Sequence, residues 1–213
     1  MGLTSAINIG RSALTASQLG IQVAGNNLAN ASTPGYSRQL LALSPSRGDG
    51  SPLGGSVGMG VQVLDVRRRV DLALQGRLNS SLSDRERNIA LANIMSQVES
   101  ALGELGDNDL SSELSSFFTA WSERANQSQS SAVVIQQGGR LADFVRSLRS
   151  RLSDQSTQID QDLGANIRQA NTLCSQIAEL NGSIFAAEGS GGTANTLRDQ
   201  RDQLVAELSG LAD

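Results

Sequence analysis

The chain has 213 residues, a formal net charge of −4, an apolar fraction of 38% and an aromatic fraction of only 3%. It contains no histidine, and every basic residue is arginine, which excludes histidine-based triads, imidazole metal ligands, lysine phosphate clamps and Schiff-base lysines. This composition predicts a structural protein with no enzyme activity, cofactor or metal, and its weak acidity gives no attraction to nucleic acid or membrane.

The first predicted element is an N-terminal helix with a heptad pattern. Large apolar residues alternate with small ones along it: Leu3, Ile7, Gly10, Leu14, Ser17, Ile21, Ala24 and Leu28. The large members, Leu3, Ile7, Leu14, Ile21 and Leu28, are called the seam below, and the small ones would let a second helix approach closely. Because internal glycines weaken a helix, we expect this segment to be marginal alone and to fold when it docks. The alternative is that the seam packs on the chain's own core.

The helix is expected to stop near Asn30, because a proline and a glycine follow at positions 34 and 35. Residues 35–66 are predicted to be a glycine-rich loop in which alternation around Val61–Val66 allows one or two strands. The glycine spacing does not fit a dinucleotide-binding loop. The run Arg67–Arg69 is typical of a solvated helix start or of pairing between subunits.

A helical pattern resumes at Val70 and continues to about Leu105, where glycines and aspartates interrupt it. Asp109 is predicted to cap a short helix whose aromatic residues, Phe117, Phe118 and Trp121, would anchor the core of a bundle. Only carboxylate pairs such as Asp107 and Asp109 could serve acid–base chemistry, and loop and capping roles explain these two better.

A very long helix is predicted over residues 131–188, and glycines at 189, 191 and 192 end it. Thr196 and Asp199 are predicted to form a capping box that opens a last helix, which folds back along the long one. The single cysteine, Cys174, occupies an apolar helical position and is predicted to be a small buried residue. The fold class is therefore mainly α, an elongated antiparallel bundle or coiled-coil rod with a glycine-rich loop.

Targeting signals are not evident. Residues 1–30 form no uninterrupted apolar run, so no cleavable signal peptide is predicted, and no segment is long enough to insert into a membrane. The residues alone therefore indicate a cytosolic protein or one exported without a cleaved signal.

Residues 24–39, AGNNLANASTPGYSRQ, resemble the N-terminal signature of the bacterial flagellar axial proteins, the rod, hook and hook-associated subunits. The matching positions, called the signature turn below, are Asn26, Asn27, Ala29, Asn30, Thr33, Gly35 and Tyr36. Pro34 stands where rod and hook subunits usually have threonine. With the helical region after Val70 and the segment 195–208, this favours the hook-associated subunits that join hook to filament.

The resemblance implies a self-assembling structural subunit, located in an extracellular flagellum and exported through the flagellar type III channel. Implied partners are copies of itself, the hook protein, the second junction protein or filament, the export apparatus and a chaperone. The seam would be the assembly interface. The expected domains are an assembly helix with its turn at 1–34, a linker at 35–69 and a helical domain at 70–213. Family members are longer, so the chain looks like an N-terminal portion.

Two other functions remain open. A rod or hook subunit would need a β-rich middle region, which the helices after Val70 disfavour. A soluble helical module that binds another protein through its aromatic cluster would be a monodisperse monomer with an ordered N-terminal helix.

Overall fold

The structure is a computed structural model that describes residues 3–46, 58–102, 109–126, 130–189 and 191–211, without the side chains of 101 and 102. These residues form a mainly helical protein, which confirms the predicted fold class. The elements, in chain order, are α1 (Leu3–Ala29), β1 (Gln39–Pro45), β2 (Val61–Arg68), α2 (Leu72–Leu102), α3 (Leu110–Ala125), α4 (Ser131–Gly189) and α5 (Asn195–Ser209). The predicted positions Leu105 and Asp107 and residues 47–57 of the glycine-rich loop lie outside the described residues.

The two strands form an antiparallel ribbon that pairs Gln39 with Arg68 at one end and Pro45 with Val61 at the other. A bulge leaves Leu64 without a partner in the register, between the pairs of Ala42 with Asp65 and Leu43 with Val63. The second strand lies where alternation predicted one. The first was not located in advance, because Leu40, Leu41 and Leu43 do not alternate clearly with polar residues.

Side-chain caps start two of the helices. Asp109 caps α3 as predicted, since its carboxylate accepts a hydrogen bond from the Ser112 backbone N–H at 2.6 Å. The carboxylate of Asp71 accepts in the same way from the N–H groups of Ala73 and Leu74, at 3.0 and 3.1 Å. This cap explains why α2 begins at Leu72, two residues later than the apolar pattern suggested.

The last helix begins differently from its prediction. Its N-cap is Ala194, which has no side-chain oxygen, and Thr196 and Asp199 lie inside the helix. The capping box is therefore wrong, because Asp199 bonds to other elements of the chain. The predicted fold-back is confirmed: α4 and α5 line one groove through Leu180 and Leu204, and Glu188 meets Arg198 near the connecting turn.

The chain divides into two compact units, one of Met1–Leu82 with Thr172–Ala212 and the other mainly of Ser83–Asn171. In the first unit, Leu173 and Ile184 of α4 are buried, whereas Cys174 is exposed. The prediction of a buried cysteine is wrong because the buried stripe of α4 passes through the preceding residue.

The aromatic cluster in the second unit is only partly a core. The Phe117 ring packs edge-on against Phe118 and tilted against Trp121, at centroid distances of 5.5 and 6.3 Å. Phe117 also lies against Gly138 of α4. The prediction that all three anchor a core is wrong for Phe118 and Trp121, which are exposed, while Phe117 is half-buried. Ala120, three residues after Phe117, is buried.

Candidate assembly site

Helix α1 has two faces with different surroundings. All five seam residues are exposed, by 60–79%, so the seam finds no cover on the described part of the chain. The opposite face packs on the ribbon, and its more buried members recur at steps of three and four: Ser5, Ile9, Ser12, Ala16, Leu19, Val23 and Asn27. The ribbon therefore supports α1 from one side and leaves the seam free for a partner.

Close contacts hold α1 on the ribbon. The Ser12 hydroxyl donates to the Ile9 carbonyl at 2.9 Å and accepts from the Val61 N–H at 3.2 Å. Gly60 lies beneath it with a φ of +100°, and a Cβ there would collide with Ser12. Gly20 faces Leu41 of β1, where a Cβ would be 3.8 Å from the leucine side chain.

The signature turn begins with a hydrogen-bonded link between helix and strand. The Asn27 amide donates to the Gln39 carbonyl and accepts from the Gln39 N–H, both at 2.8 Å. The Tyr36 hydroxyl lies 2.8 Å from the side-chain oxygens of both Asn26 and Asn27, and its one proton serves one of them at a time. The end of α1 is thus tied to the start of β1.

The remaining asparagine and threonine of the turn form side-chain hydrogen bonds at the end of α1. Asn30 donates its side-chain amide to the Asn26 carbonyl at 3.0 Å, and its own side-chain oxygen accepts from the Thr33 hydroxyl at 3.3 Å. The Asn26 carbonyl also accepts from the Asn30 backbone N–H at 3.0 Å, so the asparagine side chain adds a second hydrogen bond to the last turn of the helix. Ala29 is the last residue of α1 and is exposed.

Gly35 and its neighbour meet the last helix. The Gly35 backbone has a φ of +75°, the left-handed region that glycine tolerates. The Gln203 side-chain amide donates to the Pro34 carbonyl at 2.7 Å, and a Cβ at position 35 would overlap that side chain. Glycine is therefore required both for the backbone angle and for the contact with α5.

A cluster of charges joins the turn, β2 and α5. One oxygen of Asp199 accepts from the Ser37 N–H at 3.2 Å, and the other accepts from the Arg68 guanidinium at 2.7 Å. The same guanidinium nitrogen binds Asp202 at 2.9 Å, and all three charged side chains are largely buried. The expectation that the arginine run is solvated or pairs between subunits is therefore wrong for Arg68, whose place in β2 turns it toward α5.

The surroundings shift two pKa values in this region. Burial raises the pKa of the Tyr36 phenol, and the negative charge of Asp199 raises it further. Burial acts to raise the pKa of Asp202, but hydrogen bonds from Arg201 and Arg68 outweigh it, and the net pKa is lowered. At neutral pH the phenol keeps its proton and the carboxylate keeps its charge.

Sequence reasoning missed four participants of the site: Ser37, Arg68, Asp202 and Gln203. They lie far along the chain from their partners, so no local motif could have connected them. The only signal was that Asp199, Asp202 and Gln203 recur at helical spacing and share one face.

Within the described ranges, no three side chains of His, Cys, Asp or Glu gather to hold a metal ion. No helix in those ranges is both long and apolar enough to cross a membrane.

Two protein families match parts of the chain. Residues 95–213 match the family described as the flagellar hook-associated protein FlgK helical domain, and residues 7–36 match the flagella basal body rod protein family. Both matches define one class, the structural proteins of the flagellum, which is not a class of enzymes. The chain belongs to the hook-associated protein FlgK family.

Curated relatives extend the likeness over the whole chain. Flagellar hook-associated protein 1 of Bacillus subtilis is 31% identical over 222 positions, which cover 100% of this chain and 43% of the relative. The proteins of the same name from Escherichia coli and Salmonella typhimurium are each 30% identical over 212 positions, covering 97% of this chain and 38% of theirs. The chain thus spans about two fifths of the length of these relatives. No solved structure matches it.

Proposed function

We propose that this chain serves as a structural subunit of the flagellum at the junction between hook and filament, and that it associates with copies of itself through the seam. The observation that carries the proposal is the exposure of all five seam residues on a helix whose other face is already packed. Burying a leucine or isoleucine contributes about 1.5–3 kcal/mol, so a helix that covers the seam would gain substantially, before the cost of association.

The proposal includes an extracellular location and export through the flagellar channel without a cleaved signal peptide. It also includes the hook protein and the second junction protein as neighbours, and the export apparatus and a chaperone as transient partners. The division into an assembly helix (1–34), a linker (35–69) and a helical domain (70–213) belongs to it. The names of the relatives and the family match support this reading over a rod or hook subunit, because residues 95–213 match a hook-associated domain.

The test replaces Ile21 with glutamine in the hook-associated protein that carries this chain, in cells that lack their own copy. Ile135 of α4 provides a matched control, because it is exposed by 75% and Ile21 by 72%. We expect the Ile21→Gln protein to be missing from purified hook complexes and the cells to lose filaments. The Ile135→Gln protein should be incorporated normally.

Both isolated variants should unfold at the wild-type temperature, since neither side chain is buried in the chain. Normal incorporation of Ile21→Gln would reject the seam as the assembly surface. Equal loss with Ile135→Gln would point to a general sensitivity to exposed apolar residues instead.

A further inference from the structure

The signature turn is held from two directions. The end of α1 holds it through Asn27 and Tyr36, and α5 holds it through Asp199 and Gln203. The two contacts with α5 join residues that are 162 and 169 positions apart in the chain. The turn therefore depends on a helix that lies near the other end of the sequence.

We infer that Asp199 and Gln203 are positioning residues of the assembly site: they fix the signature turn and so set the direction in which α1 presents the seam. This inference rests on the proposed role of the seam in assembly. The assembly site then includes α5. This helix contributes no seam residue, but it is needed for the correct orientation of the seam.

The spacing of the two residues suits this role. Asp199 and Gln203 are four positions apart, so they lie on one face of α5, and they contact residues 34 and 37 on either side of Gly35 and Tyr36. A rigid helix that contacts both ends of a four-residue segment fixes its direction as well as its position. Gly35, with its left-handed backbone, lies between the two contacts.

Charge balance around Asp199 favours a permanent contact. Its carboxylate shares Arg68 with Asp202, and Asp202 also binds Arg201 at 2.9 Å. Two arginines therefore balance two aspartates, and the Tyr36 phenol nearby is neutral at physiological pH. Removal of one partner from such a buried group leaves an uncompensated charge, so the cluster resists opening.

A merely structural role is the competing explanation, in which α5 binds β2 through Arg68 and touches the turn incidentally. Asp202 separates the two explanations, because it binds Arg68 but makes no described hydrogen bond with the turn. Replacing Asp202 weakens the contact between helix and strand alone, whereas replacing Asp199 also removes the acceptor of the Ser37 N–H.

The test compares Asp199→Ala, Gln203→Ala and Asp202→Ala in the isolated 213-residue chain. Amide hydrogen exchange at residues 33–37 is the first readout, and we expect Asp199→Ala to speed exchange at Ser37 about tenfold or more, because a bond to a charged acceptor is lost. Gln203→Ala should loosen the same segment. Asp202→Ala should lower the unfolding temperature and leave exchange in the turn close to wild type.

Tyr36 supplies a second readout, since it is the single tyrosine of the chain and its phenolate absorbance titrates alone. Asp199→Ala should lower the pKa of Tyr36 toward its ordinary value, and Asp202→Ala should not. If Asp199→Ala does not fold, Gln203→Ala decides the matter, because it removes an exposed amide and leaves the ion pairs intact.

Equal effects of Asp199→Ala and Asp202→Ala on the turn would overturn the inference, and so would unchanged exchange in Gln203→Ala. These measurements need no assembly, so they fail or succeed independently of the seam. Ile21→Gln, which tests the proposed function, should leave exchange at residues 33–37 unchanged.

Discussion

Asn27 binds the backbone of Gln39 as a neighbouring strand would, with its amide nitrogen donating to the carbonyl and its oxygen accepting from the N–H, both at 2.8 Å. A side-chain amide carries a donor and an acceptor side by side, and a carboxylate carries acceptors only. The link between α1 and β1 therefore requires an amide at position 27.

Replacing Asn27 with aspartate should destabilise the chain by about 1–3 kcal/mol, because the Gln39 carbonyl loses its donor. Asn26→Asp is the matched control: it adds the same charge near the same helix end, but Asn26 uses its side-chain oxygen to accept from Tyr36 and Asn30. Denaturant unfolding measures both, and equal losses of stability would mean that added charge, not the missing donor, is responsible.

The small residues between the seam positions make a second prediction. Gly10 lies among the seam residues and Gly182 lies in α4, away from the seam, and a Cβ at either position meets nothing within 4 Å. Alanine at either site should therefore stabilise the isolated chain by about 0.5–1 kcal/mol, since glycine weakens helices. If a second helix packs closely on the seam, only Gly10→Ala should reduce incorporation into hook complexes. Thermal unfolding and incorporation are measured for both variants. Normal incorporation of Gly10→Ala would argue against close packing there.

Gly35→Val should impair incorporation while leaving the second compact unit folded. The substitution strains a backbone with a φ of +75° by about 1–2 kcal/mol, and its Cβ would displace Gln203 from the Pro34 carbonyl. Amide exchange should increase at residues 33–37 and stay as in wild type at residues 131–171. The double variant Gly35→Ala, Gln203→Ser should be more stable than Gly35→Ala alone, because the shorter serine side chain no longer overlaps the new Cβ. It should stay less stable than wild type, because the backbone strain at position 35 remains. Normal incorporation of Gly35→Val would contradict the positioning role of the turn.

Acid should weaken the contact between α4 and α5. Arg198 donates to both oxygens of Glu188, at 2.7 and 2.8 Å, and this hydrogen bonding lowers the pKa of Glu188. In the unfolded chain the pKa of Glu188 is roughly 4.3, and in the folded chain it is lower. The ion pair therefore contributes its full stability above the unfolded pKa, and this stability is lost as the pH falls through the folded pKa. The unfolding temperature should therefore fall as the pH is lowered below about 4, and this fall should be smaller in Glu188→Gln.

An Arg198→Gln background provides the control for this effect. There the Glu188→Gln change should no longer alter the acid sensitivity, because the pair is already broken. Persistence of the difference in that background would assign the acid response of Glu188 to some other neighbour.

Several features of the fold could be predicted because their causes are local. The period of the apolar residues located the helices, Asp109 gave the start of α3, and the glycines after residue 188 gave the end of α4. The seam was predicted in the same way, since five large residues at heptad spacing must share one face. The pattern left open whether a partner helix or the chain's own core covers the seam, because it did not reveal that the ribbon packs on the other face.

Errors arose where contacts over long sequence distances decide the outcome. Asp199 had the right spacing from Thr196 for a capping box, but Arg68 and the Ser37 N–H compete for its carboxylate and hold it inside the helix. Arg68 looked like part of a solvated run, although alternation along β2 turns it inward while Arg67 stays exposed.

The sequence by itself thus determined the helical class, the seam and the end of α1 before Pro34, because helix periodicity, caps and glycine backbone angles depend on residues a few positions apart. Only the tertiary structure decided which face of α1 is free and which helix holds the turn. Those outcomes depend on Asp199 and Gln203 meeting the turn, and on Asp199 meeting Arg68, across more than a hundred residues of chain. Buried charges and hydrogen-bond donors bind whichever partners the folded chain brings within reach.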